Sequence, residues 1–196
     1  MLVVLSLCLP ALAGCGGREP DQRTCSGAYA IYRTAMERGD HARLYRLLDP
    51  DVAAKIDLVF SNVQAARVLV RDLPVPMQAE HVALIGSPAV RQAGSSTEFL
   101  GALVGGAHED GVQASFLKSL TRQFKSCSEQ PPDSGQFTAV PMDGIGVRFV
   151  RRGDGLLYHV PSDAELVNLQ KALVQSARAL EHIRNTGRSL GQEGAR

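Results

Sequence analysis

Two residues near the end of the chain have the types that acid–base chemistry uses. Asp154 and His159 stand five apart, flanking a short apolar segment. Asp154 lies in Gly153-Asp154-Gly155, where its ordinary work is turn formation, and His159 occupies a strand position whose ordinary state is a partly buried sheet histidine. Catalysis ranks below those roles. His108-Glu109-Asp110 gathers ligand atoms in a glycine-flanked loop, but consecutive residues seldom converge on one metal, so a solvated loop is expected. No G-x-S-x-G elbow, HExxH, phosphate-binding loop or dinucleotide fingerprint occurs. No catalytic residue, metal site or cofactor is assigned.

Cysteine carries the most specific chemistry. The run Met1-Leu2-Val3-Val4 through Gly14 is too short to span a bilayer, which takes about 20 apolar residues. It has the texture of a signal-peptide apolar core, although no Lys or Arg precedes that core. Leu12-Ala13-Gly14-Cys15 resembles the bacterial lipobox. The resemblance implies cleavage before Cys15, a diacylglyceryl group on its sulfur and acylation of its new amine. Each buried methylene contributes about 0.8 kcal/mol, and two or more chains hold stably. Gly16 rather than Asp at the next position implies an outer-membrane address in a Gram-negative cell. Cys25 and Cys127 then remain as an even pair in an exported, oxidising compartment, a disulfide candidate.

The 196 residues suffice for one domain with a real core, and the net charge of +1 implies no polyelectrolyte partner. No basic block interleaves with aromatics, so nucleic acid is not expected as a partner. With no Trp and 5% aromatics, the core must be Leu, Val and Ala. Arg far outnumbers Lys, which occurs only at positions 55, 118, 125 and 171, the usage of a GC-rich bacterial genome.

Apolar periodicity places the elements. Cys25, Ala28, Tyr29, Tyr32, Ala35 and Met36 form a helical stripe, with Thr24 as cap and Gly39 as terminator. Asp40 caps a short helix with Leu44, Leu47 and Leu48. Asp49-Pro50 opens a long helix to about Asp72, stopped by Pro74 and Pro76. Short helices are expected in 77–86 and in 95–106, the latter capped by Ser96 or Thr97, and residues 113–127 begin as a helix and finish as a strand. QFTAV, IGVRFVR and LLYHV read as three strands punctuated by Asp143-Gly144 and Asp154-Gly155. In the middle strand Ile145, Val147 and Phe149 alternate with Gly146, Arg148 and Val150, so one face is buried and Arg148 and Arg151 belong to a solvated face rather than an anion site. Ser162 and Glu165 make a capping box for the last helix, which Gly187 ends.

The fold class is α+β: N-terminal helices packed on a curved antiparallel sheet of three to four strands, with a long C-terminal helix. The expected division is a signal peptide at 1–14, a tether at 15–23, a single domain at 24–186 and a flexible tail at 187–196. The segment AIYRTAMERGDHARLYRLLDPDVAAKI, with its helix ending at Gly39-Asp40, is similar to the opening of nuclear-transport-factor-two-like (cystatin-like, cone-shaped) domains. The strands and hairpin at 153–155 fit the way such domains finish their sheet. The whole resembles small lipoproteins of unknown function from GC-rich Gram-negative genomes. The resemblance implies a cone used as a ligand pocket and makes Asp154 and His159 pocket candidates.

Three functions are open to such a chain: a non-enzymatic, lipid-anchored envelope module for a partner or small hydrophobic ligand; a cone-fold enzyme using acid–base residues in a cavity; or a structural accessory of an envelope complex that docks through the last helix. An apolar cone favours the first, and an acidic or histidine-bearing one the second. The expected partners are the membrane, through lipid on Cys15, and an envelope protein or small hydrophobic ligand. The expected location is the cell envelope, facing the periplasm. Cys15→Ser should move the protein from the membrane to the soluble fraction; unchanged fractionation would refute the anchor.

Overall fold

The structure is a computed structural model that describes residues 19–106, 124–142 and 146–193. Cys15 and the signal segment, the His108-Glu109-Asp110 cluster, Ile145 and the Asp143-Gly144 turn lie outside the described residues. So does the helix expected from residue 113.

Helix α1 spans Cys25–Arg38 and starts where Thr24 Oγ1 accepts a hydrogen bond from Gly27 N at 3.1 Å. It stops because Gly39 adopts φ 62°, the left-handed conformation that glycine takes without steric cost. Asp40 caps α2 (His41–Leu47) through Arg43 N at 2.9 Å. Asp49 and Pro50 launch α3 (Pro50–Arg71), whose inner face is Val52, Ile56, Val59, Val63, Ala66 and Val70. Pro74 and Pro76, read as terminators, in fact open α4 (Val75–Leu84): proline fits the first helical turn, where no amide partner is needed. Ser87-Pro88 opens an unforeseen short helix, α5 (Pro88–Gln92), by the same device. Helix α6 (Ser96–Gly106) is capped one residue earlier than expected, by Ser95 Oγ to Glu98 N at 3.2 Å, while the Glu98 carboxylate accepts from Gly94 N at 2.7 Å.

The sheet has four antiparallel strands in the order β1-β2-β3-β4: Phe124–Glu129, Gln136–Pro141, Val147–Arg151 and Leu157–Val160. Val147, Phe149, Leu157 and His159 are buried and alternate with less buried neighbours. Their face meets α1, which touches all four strands. The architecture is therefore α+β. The chain ends in α7 (Asp163–Glu193), packed along α3, with Asn62 Nδ2 donating to Ser176 Oγ at 3.2 Å.

Two expectations about the ends need correction. Helix α7 runs through Gly187 to Glu193. Gly187 sits beside Leu73, and Leu190 packs on the core, so contact with the domain carries the helix past its weakest residue. At the other end the expected tether is docked from Gln22: Leu157 N donates to Gln22 O at 3.1 Å, and Gln22 Nε2 donates to Leu157 O at 3.1 Å.

Two long-range ties join helices to sheet. The Cys25 and Cys127 sulfurs are at bonding distance, with Cα atoms 6.3 Å apart and a sequence separation of 102, linking the start of α1 to β1. Asp49 is the second. It is 3% exposed, its Oδ1 accepts from Asp51 N at 3.0 Å and its Oδ2 accepts from Arg152 Nε at 2.8 Å. Arg152 also reaches Asp51 Oδ2 at 2.9 Å.

Reduction should lower the melting temperature, by a loss of about 2–5 kcal/mol for a loop of this size; an unchanged melting curve would exclude the bridge. Asp49→Ala should cost more than Asp51→Ala in urea unfolding, because it removes a cap worth about 1 kcal/mol and the buried partner of Arg152 together.

Candidate functional site

A cavity of about 310 Å³ lies between the helices and the end of the sheet. Helix α1 contributes Tyr32 and Met36, the α2–α3 corner Leu44, Leu48, Val52 and Ile56, and α6 Leu100 and Leu103. The sheet contributes His159, followed by Pro161, and α7 closes the lining with Glu165, Asn168, Leu169 and Ala172. The walls are mainly aliphatic because the apolar stripes of five helices converge here. Helices α2 and α6 can approach closely because residue 101 is glycine: a Cβ there would lie 2.6 Å from His41 Nδ1.

His159 is the buried polar group of this wall, 8% exposed. Its position is fixed from both sides. It pairs with Phe149 on β3, and its carbonyl accepts from Asp49 N at 2.9 Å, where a parallel bridge joins Leu48 to β4. The imidazole stacks obliquely on Tyr32, with ring centroids 4.5 Å apart, and meets Phe149 edge-on at 5.9 Å. Nδ1 lies 3.2 Å from Arg148 O. A carbonyl only accepts, so Nδ1 carries the proton and Nε2 is left with its lone pair. Burial pushes the His159 pKa down to about 4; the Arg148 carbonyl and the charge of Glu165 oppose the shift, and the Arg148 charge adds to it. The ring is neutral at pH 7. Burial likewise raises the Tyr32 hydroxyl pKa, so it stays protonated.

Asp154 is not part of this wall. It sits at the β3–β4 turn, where its Oδ1 accepts from Leu156 N at 2.9 Å and its Oδ2 from the Tyr158 hydroxyl at 2.5 Å. The Tyr158 hydrogen bond holds its carboxyl below the usual value. The two pocket candidates are thus separated, because neighbouring strand residues point to opposite faces and the turn carries Asp154 away. Arg148 is half-exposed and clamps the exit of β4, donating to Pro161 O at 2.5 Å and to Asp163 Oδ1 at 3.0 Å. Arg151 lies over the Phe137 ring, 5.1 Å from its centroid.

Tyr32 and Glu165 are polar lining residues that sequence reasoning assigned only to structure, one to a core stripe and one to a capping box. Both do that work as well: Glu165 Oε2 accepts from Ser162 N at 2.7 Å and from Ser162 Oγ at 2.6 Å. A second buried histidine, His81, is satisfied between α4 and α7 by Met77 O at 2.8 Å and Thr186 Oγ1 at 3.3 Å, and stacks on His182. Among the described residues no group of three or more His, Cys, Asp or Glu side chains is placed to hold a metal. No helix there is long and apolar enough to cross a membrane.

Comparisons with protein-family models, with curated proteins and with solved structures find no match to this chain.

The depressed His159 pKa makes stability pH-dependent. Between pH 6.5 and about 4 the unfolded imidazole binds a proton that the folded one refuses. Stability should therefore fall as the pH drops through that window, by on the order of 3 kcal/mol in all. His159→Phe should remove that part of the slope in urea titrations; an unchanged slope would show that His159 is not held neutral.

Proposed function

We propose that this protein is a non-enzymatic binding module that holds a small, largely apolar molecule in the cavity between α1, α2, α3, α6, α7 and β4. The observation that carries the reading is the cavity itself. Its volume falls at the lower end of the range of about 300–1,000 Å³ that small-molecule sites occupy, and its aliphatic walls carry a few polar groups. The apolar lining favours binding; the histidine is the feature an enzyme would need. Acid–base catalysis requires a partner that orients and charges the imidazole, and here Nδ1 is taken by a backbone carbonyl while Asp154 stands outside. The cone-fold resemblance agrees with a ligand-holding role. Docking through the C-terminal helix is the weaker alternative, because its apolar stripe is largely spent on the core: Ile183 is buried, and Leu166, Leu169, Leu173 and Leu180 pack against it.

The anchor belongs to the same proposal. Lipid on Cys15 would hold this domain at the envelope surface facing the periplasm, where a Cys25–Cys127 bridge persists. The short segment between Cys15 and the docked Gln22 would keep the domain close to the bilayer.

N-phenyl-1-naphthylamine, which fluoresces in apolar surroundings, tests the cavity. Its emission should rise on binding, and Ala172→Phe, which places a ring in the cavity from the half-buried face of α7, should abolish the rise. No binding, or binding indifferent to Ala172→Phe, would overturn the reading.

A further inference from the structure

We propose, resting on the ligand-binding reading above, that the ligand is an uncharged apolar molecule bearing a hydroxyl group, seated with that hydroxyl between His159 and Tyr32. The geometry that points to this is a pair of complementary polar atoms in one aliphatic wall. Both rings line the cavity, with centroids 4.5 Å apart. His159 Nδ1 is committed to Arg148 O, which leaves Nε2 as an acceptor. Among the described residues neither Nε2 nor the Tyr32 hydroxyl has a hydrogen-bond partner, and neither is among the sealed, unpartnered polar atoms, which are Tyr29 Oη and Arg33 Nε. Both residues line the cavity.

A hydroxyl oxygen is the group that satisfies this pair. It donates its proton to Nε2 and accepts one from Tyr32, so neither atom is left unmade in an apolar site. A carboxylate offers acceptors only. It would set a lone pair against Nε2 and would share the cavity with the Glu165 carboxylate. Protonating His159 to meet it works against the burial that holds the imidazole neutral. An ammonium could donate to Nε2, but it has no lone pair to accept from the Tyr32 hydroxyl, and desolvating its charge among mainly aliphatic walls is costly. A plain hydrocarbon would leave both polar atoms unpaired. The site thus selects by proton count on one oxygen, and the aliphatic walls supply the bulk of the affinity.

Octanol, octanoate and octylammonium carry the same chain and differ at the head. Each is titrated at neutral pH against N-phenyl-1-naphthylamine on the full chain carrying Cys15→Ser. Octanol should displace the probe at concentrations at least about tenfold lower than either ion. In His159→Phe, and independently in Tyr32→Phe, which preserve the rings and their packing, the ratio of octanol affinity to probe affinity should fall about fivefold. Equal affinity for octanol and octanoate, or an unchanged ratio in both folded variants, would overturn the hydroxyl assignment while leaving the cavity as a binding site. Failure of the probe itself to bind would overturn the binding reading beneath it.

Discussion

Asp49 ties the start of α3 to the β3–β4 hairpin, reached at Arg152, 103 residues further along the chain. Its carboxylate caps α3 and accepts from Arg152 in the β3–β4 loop, and its amide donates to the carbonyl of His159. A buried carboxylate without compensation is costly, so these partners are needed together. The result is a rigid corner at which the helical layer meets the last strand. Leu48, one residue earlier, forms the parallel bridge to His159, and Val52, one turn later, lines the cavity. Moving Asp49 would shift the start of α3 and the end of β4 at once.

The cavity follows from that corner and from composition. A core without Trp, and with few aromatic rings, must fill the space where several helices converge using Leu, Val, Ile and Ala. Pairwise the packing is good: Phe60 meets Phe99 at 5.8 Å, and α3 lies along α7. Where α1, α2, α3, α6 and α7 face one another across the end of β4, the aliphatic side chains do not reach. The polar content of that space is set by backbone register. His159 is paired with Phe149, so it must point to the same face, into the helices rather than into solvent.

Local signals in the sequence were sufficient for most of the elements. Thr24, Gly39, Asp40, Asp49-Pro50 and the Ser162–Glu165 box each mark a boundary by a hydrogen bond or dihedral that the residue type itself demands. Val147 and Phe149 declare the buried face of β3 by alternation. What stayed hidden was non-local or chemically ambiguous. Strand β1, with Lys125, Ser126 and Ser128, lacks the β-branched alternation of its neighbours, so only its start was legible, as the strand ending of 113–127, and its extent depends on the pairing edge of β2. The prolines at 74, 76 and 88 were equally good as stops or as first-turn residues, and only tertiary packing decides. The candidate site was half legible. His159 could be named as a sheet histidine, but Tyr32 lies more than 100 positions away on a stripe indistinguishable from ordinary core, and nothing local places the two rings together.

The stability of the cavity wall is uneven, and that unevenness has a direction. On the sheet and α3 side the wall is fixed by the Asp49 corner, strand pairing and fully buried side chains. On the α7 side it is built from the helix's first turns, Glu165 to Ala172, held by a capping box, the Arg148–Asp163 pair and the half-buried Leu166 and Leu169 packed on the core. Asp163 is 89% exposed, and such exposed pairs contribute at most about 1 kcal/mol. Deep anchoring of α7 comes further along, at Ile183, which is fully buried, and beside Leu73 at Gly187. The helix is thus anchored by a fully buried side chain in its far half and by half-buried ones beside the cavity. The cavity is partly open to solvent, and its most exposed lining residues, Glu165 and Asn168, belong to those N-terminal turns of α7.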